Sequence, residues 1–127
     1  MGYERSTRLC KVWVGADGIC RLDWVANAEV TMKAAQEVMA AYDAIRQDRR
    51  LPLLIDTKSM KSFAREARQY YASDEAAARA SAAAIVVGTP VSKVLGNFYL
   101  GLSNPRLPSR LFTSEDEALI WLKGFVT

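Results

Sequence analysis

Two short apolar runs, at residues 51–55 and 82–87, each stop at a polar residue or a glycine and give way to a helical stripe. A continuous run of this length reads as a strand covered on both faces, because a strand with one wet face would alternate instead. Strands of this kind need helices packed on both sides of their sheet. Where strand and helix follow one another along the chain, the strands run parallel, since a crossover through a helix returns the chain in the same direction. Pro52 is tolerable because it stands at the beginning of its run. The two runs therefore restrict the chain to an α/β architecture.

The N-terminal segment adds a hairpin. Cys10, Val12 and Val14 alternate with Lys11 and Trp13, and Cys20, Leu22 and Trp24 alternate with Arg21 and Asp23, the period of a strand with one buried face. Ala16-Asp17-Gly18 reads as a three-residue loop in which Gly18 supplies the left-handed position. That loop sets Val14 opposite Cys20, Val12 opposite Leu22 and Cys10 opposite Trp24, with all six on the inner face. A two-residue loop would mix Arg21 and Asp23 with the valines. The cysteines are then not partners, and both are expected as reduced core residues.

Four helices are predicted. The first covers residues 31–47, with Thr31 as cap and Ala34, Ala35, Val38, Ala41, Tyr42 and Ile45 as its buried stripe. The second covers 62–73, with Ser62 as candidate cap and Ala64, Ala67, Tyr70 and Tyr71 as apolar contacts; the alanine-rich segment 74–80 extends or adjoins it. The third opens at Thr89-Pro90, cap and first helical position, and its stripe is Val91, Val94, Leu95, Phe98 and Leu102. A loop at 103–108 and a short strand at 110–113 follow. Ser114 and Glu117 form a capping box for the last helix, whose stripe is Ala118, Trp121, Leu122 and Phe125. The order is β-β-α-β-α-β-α-β-α, with a mostly parallel five-stranded sheet.

Composition narrows the function. With 127 residues the chain fits one domain, 1–127. Seventeen basic residues interleave with acids for a net charge of +3, too mild and too scattered for a nucleic-acid partner. No apolar run is long enough to insert in a membrane, and a polar N-terminus without a signal core points to the cytoplasm. There is no histidine, which removes the commonest general base and the commonest transition-metal ligand. Two cysteines without CxxC spacing make no zinc site alone. The chain is therefore expected to be no enzyme and to carry no metal or cofactor.

The element order resembles the SpoIIAA-like fold shared by the STAS domains of anti-sigma-factor antagonists. Leu54-Ile55-Asp56 resembles the strand end that leads into the signature loop of STAS proteins. The stretch from Gly96-Asn97-Phe98-Tyr99 through Arg110-Leu111-Phe112-Thr113 to Glu117-Ala118-Leu119-Ile120-Trp121-Leu122 resembles a group of small bacterial STAS-like proteins of unknown function. STAS antagonists carry a phosphorylatable serine at the start of the helix after the central strand. Here Ala64-Arg65-Glu66-Ala67 falls on that segment and offers no hydroxyl. Glu66 is a fixed charge, and Thr57, Ser59 and Ser62 stand out of register. The resemblance thus implies the fold without the phosphoserine switch.

Asp56, Lys58, Ser59, Lys61, Arg65 and Arg68 gather around the loop and helix after the central strand, where STAS relatives make their contacts. Lys61, Arg65 and Arg68 share one helix face if that helix begins early enough. Gly88 and Thr89, at a strand end before a helix, have a generic anion-binding geometry, without the Gly-Lys-Ser/Thr element of a P-loop. Glu115-Asp116-Glu117 opens a capped helix, where the dipole favours acids. The reading is a non-enzymatic regulatory protein-interaction module of bacterial type, its protein partner unidentified and a homodimer among the options. The alternative is a small apolar or lipid-like ligand-binding protein, which would need an apolar pocket of ~300 Å³ or more.

Overall fold

The computed structural model describes residues 4–103 and 106–126. Its elements are β1 (Cys10–Val14), β2 (Cys20–Trp24), β3 (Glu29–Val30), α1 (Met32–Arg46), β4 (Leu51–Asp56), β5 (Ser62–Phe63), α2 (Arg65–Tyr71), α3 (Asp74–Ala77), β6 (Ala80–Val86), α4 (Pro90–Phe98), a π-helical turn (Tyr99–Ser103), β7 (Ser109–Phe112) and α5 (Glu115–Lys123). A five-stranded sheet runs in the order β1-β2-β4-β6-β7. Only β1 and β2 pair antiparallel; every other pairing in it is parallel. The hairpin has the register expected from its alternation, with Cys10 opposite Trp24, Val12 opposite Leu22 and Val14 opposite Cys20. Gly18 takes φ +81°, and Cys10 and Cys20 are buried free thiols.

The sheet has a helix layer on each face. Cys10, Val12, Cys20, Leu22 and Trp24 pack with Val38, Tyr42 and Ile45 of α1 and Ala67 of α2. On the other face Leu54, Ala82, Ala84 and Val86 pack under Ala118 and Leu122 of α5. All six residues of the predicted α1 stripe are buried, and Thr31 caps the helix through a hydroxyl that accepts the Ala34 amide at 3.2 Å. The Tyr42 hydroxyl donates to the Arg79 carbonyl at 2.6 Å and accepts the Leu51 amide at 3.3 Å, tying α1 to the starts of β4 and β6.

Three expectations are corrected. The segment after the central strand does not enter its helix at Ser62. Main-chain bonds from Asn27 to Ser59, Lys61 to Ala28 and Ala64 to Val30 hold it extended, and Ser62–Phe63 pairs parallel with Glu29–Val30. The helix starts at Arg65 with no side-chain cap, so Ser62 caps nothing and Lys61 lies outside the helical face of Arg65 and Arg68. The alanine-rich segment forms a separate short helix, α3, adjoining α2 and capped by Ser73, which makes five α-helices among the described residues where four were expected. Trp121 is half-buried against Phe112 and Phe125, ring centroids 5.8 and 4.9 Å away, while Leu122 is the side chain fully enclosed.

The third helix differs more. Val91, Val94 and Phe98, expected in the core, are 50%, 49% and 44% exposed. The buried residues of α4 are Ser92 and Gly96; Leu95 is half-buried. The side chain of Leu102 and residues 104 and 105 of the predicted loop lie outside the described residues.

Candidate functional site

The roll of α4 has a local cause. The Thr89 side chain accepts the Ser92 amide at 3.0 Å, and the Ser92 hydroxyl accepts the amides of Gly88 and Thr89 at 2.9 and 3.0 Å. This reciprocal cap requires Ser92 to face the sheet. One turn later Gly96 sits so close that a Cβ there would stand 2.9 Å from Leu111 Cδ2 and 3.3 Å from Val87 Cγ1. Small residues four apart thus form the packed side of the helix, and the larger apolar residues are turned outward. The cap also engages the two amides that would have served an anion at Gly88 and Thr89.

At the end of β4, Asp56 accepts the Lys58 amide at 3.1 Å and pairs with the Lys58 ammonium at 3.6 Å. Thr57 is buried, its hydroxyl donating to the Val86 carbonyl at 2.9 Å. Ser59 is exposed, its carbonyl accepting the Asn27 amide. The stem of Lys58 lies over Gly88, whose added Cβ would meet Lys58 Cγ at 3.1 Å. The two predicted strand-end sites, Asp56–Lys58 and Gly88–Thr89, are therefore one continuous edge.

Arg68 joins this edge to the outward face of α4. Its Nη1 donates to the Phe63 carbonyl at 2.6 Å, and its guanidinium carbon stands 6.0 Å from the Phe98 ring centre. Its Nε is buried with no partner among the described residues. Lys61 and Arg65 are exposed. Among the described residues, Lys61, Arg65 and Arg68 make no ion pair. The face so assembled is an apolar stripe, Val91-Val94-Phe98, with Lys58 near its first turn and Arg68 at its last. The basic residues were legible in the sequence. Hydrophobicity alone places the apolar stripe in the core, and the signal that turns it outward is the Ser92/Gly96 pair.

Beneath α4, between the sheet and the α1–α2 layer, lies an apolar cavity of about 80 Å³. It is far below the ~300 Å³ typical of small-molecule sites. An open cleft of about 380 Å³ lies between α4 and β7, with Val87, Leu111 and Phe112 on its walls beside Lys93, Arg110 and Glu117. The acids of α5 stand in its first turn, where Ser114 accepts the Glu117 amide at 3.3 Å. Among the described residues no helix is long and apolar enough to cross a membrane.

These elements define a SpoIIAA-like α/β protein. An uncharacterised protein of the DUF3478 family with a SpoIIAA-like fold, from Shewanella loihica PV-4, superposes with a TM-score of 0.61 over 93% of this chain and 98% of its own, at 13% identity. Residues 12–126 match the family described as a domain of unknown function, DUF7793, and the chain belongs to that family. A protein of unknown function from Arthrobacter sp. FB24 is 35% identical, covering 87% of this chain and 96% of its own, with a TM-score of 0.36. No curated protein matches the chain.

Proposed function

We propose that this chain is a non-enzymatic regulatory module that docks an acidic protein partner on the outward face of α4. The observation that carries this reading is the half-exposed row Val91, Val94 and Phe98 on one nine-residue helix. A row of this kind flanked by charge marks an interaction surface rather than scattered surface apolarity. Charge decides the kind of partner. In a two-fold homodimer each basic residue of the rim would approach cations of the other copy, which costs association energy. Carboxylates would be drawn there instead, and the approach would be sensitive to salt.

The reading includes no phosphoserine switch. The residues at the start of α2 are Ala64, Arg65, Glu66 and Ala67, none of which carries a hydroxyl.

The test is capture of partners from native cells by wild type and by Val94→Asp, Phe98→Asp and Lys58→Glu. Losing a central interface anchor costs roughly 2 kcal/mol or more, about thirtyfold in affinity. Folded variants that capture the same partner undiminished would contradict the proposal. Arg68 is kept out of the test because its bond to Phe63 makes it part of the fold.

A further inference from the structure

The cavity beneath α4 is walled on the sheet side by Leu53, Ile55, Ala83 and Ile85, and closed from the helix layer by Leu95 and Tyr99 among others. Its origin is the alanine run of β6. A strand covered on both faces ordinarily fills this space with branched side chains, and here Ala80 and Ala83 leave it open. The volume of about 80 Å³ is room for roughly two or three waters at liquid density.

Water is a poor occupant. A buried water needs two to four polar partners, and the hydroxyls at this wall are engaged with main-chain carbonyls. Thr57 donates to Val86, Tyr42 to Arg79, Tyr71 to Ala35 and Tyr99 to Tyr71, at 2.9, 2.6, 2.9 and 3.1 Å. An empty cavity costs stability in proportion to its volume. Met39 and Met60, also at the wall, are unbranched and can repack around a guest.

We infer that this cavity is a binding site for a small apolar molecule of about six heavy atoms, a single unsubstituted ring or a short alkyl chain. A lipid tail is too large for it. The guest would bind by filling space and would need no hydrogen-bonding group, so a hydroxyl on it would weaken binding by leaving a polar atom without a partner.

The experiment uses the full chain with benzene as probe and phenol as its hydroxylated counterpart. Melting is followed by calorimetry, and side-chain methyls by NMR. Benzene at tenfold over its dissociation constant should raise the Tm by about 4–7 °C. Methyl signals of Met39, Met60, Ala83 and Ile85 should shift, while those of Leu54 and Leu122 across the sheet stay in place. Phenol should bind at least about tenfold more weakly. Ala83→Val fills the cavity from the strand and Ala76→Leu from α3; whichever folds should lose the benzene-induced rise. No Tm rise in the wild-type chain, equal shifts on both sides of the sheet, phenol binding as tightly as benzene, or an undiminished rise in the filled variants would overturn the inference.

Discussion

The Ser92 hydroxyl accepts the Gly88 amide at 2.9 Å, and this bond between the end of a buried strand and the first turn of a helix decides which side of α4 meets solvent. Removing it should cost stability. Ser92→Ala leaves the Gly88 and Thr89 amides without their acceptor in a side chain position that is 1% exposed. Loss of the cap and the desolvated amides together predict a destabilisation of roughly 1–2 kcal/mol. Urea denaturation measures it; a midpoint unchanged from wild type would show that the cap does not orient the helix.

The last helix should rank its side chains by enclosure rather than by size. Leu122 is fully buried among Leu54, Ala82 and Ala84, so Leu122→Ala is expected to cost roughly 3–5 kcal/mol. Trp121 is half-buried against Phe112 and Phe125, so Trp121→Ala is expected to cost about 1.5–2.5 kcal/mol, below the range for a fully buried aromatic. Equilibrium unfolding of the pair checks the order, and the reverse order would contradict the placement of α5.

Thiol reactivity should follow the hairpin register. Cys10 and Cys20 sit on the inner face, opposite Trp24 and Val14 and not opposite each other, and both are free. Burial pushes the Cys20 thiol up to about 12 and raises Cys10 as well, so little thiolate forms at neutral pH. Native protein should react with neither thiol on the timescale of minutes, and denatured, unreduced protein should titrate two. Fewer than two would mean an unforeseen disulfide.

The fold should lose stability at alkaline pH. Burial is the largest cause raising Tyr42 to about 12, and it raises Tyr71 and Tyr99 too. Groups with raised folded values contribute stability that is complete below their unfolded values and is lost as pH rises toward the folded ones. Unfolded thiols titrate near ~8.5 and phenols near ~10. Stability should therefore begin to fall above about pH 8.5 and fall steeply above about pH 10. Phenolate absorbance of the three buried tyrosines should appear together with loss of helical circular dichroism. Their ionisation in a folded chain would refute this burial.

Much of this was readable in the residues, for physical reasons that also explain the remainder. Period-two alternation and loop length together leave one hairpin register, and Cys10, Val12 and Leu22 occupy it. The α1 stripe runs unbroken from Ala34 to Ile45 of a 15-residue helix, so its face admits one orientation. The β3–β5 pair is made by main-chain bonds between residues 27–30 and 59–64, which carry no side-chain pattern, so Ser62 looked like a cap. On α4 hydrophobicity alone favours burial of the Val and Phe stripe. Close packing of Ser92 and Gly96 outweighed it, because small residues let the helix sit nearer the sheet. The basic residues of the site were visible, but Arg68 proved to be held by Phe63 and Phe98, a contact that depends on that same roll.

The docking face is tested most directly by a photo-crosslinking residue placed at Val94 and, as control, at Ile120. Ile120 is the more exposed of the two, at 68% against 49%, but it lies on α5 and α4 packs against the opposite face of the sheet. In native cells, position 94 should crosslink to a discrete protein partner. The yield should drop when Lys58 is changed to Glu and when salt is raised in extracts. Position 120 should give no such product. A partner captured from position 120 and not from 94, or equal yields from both, would contradict the account and move the interface to α5.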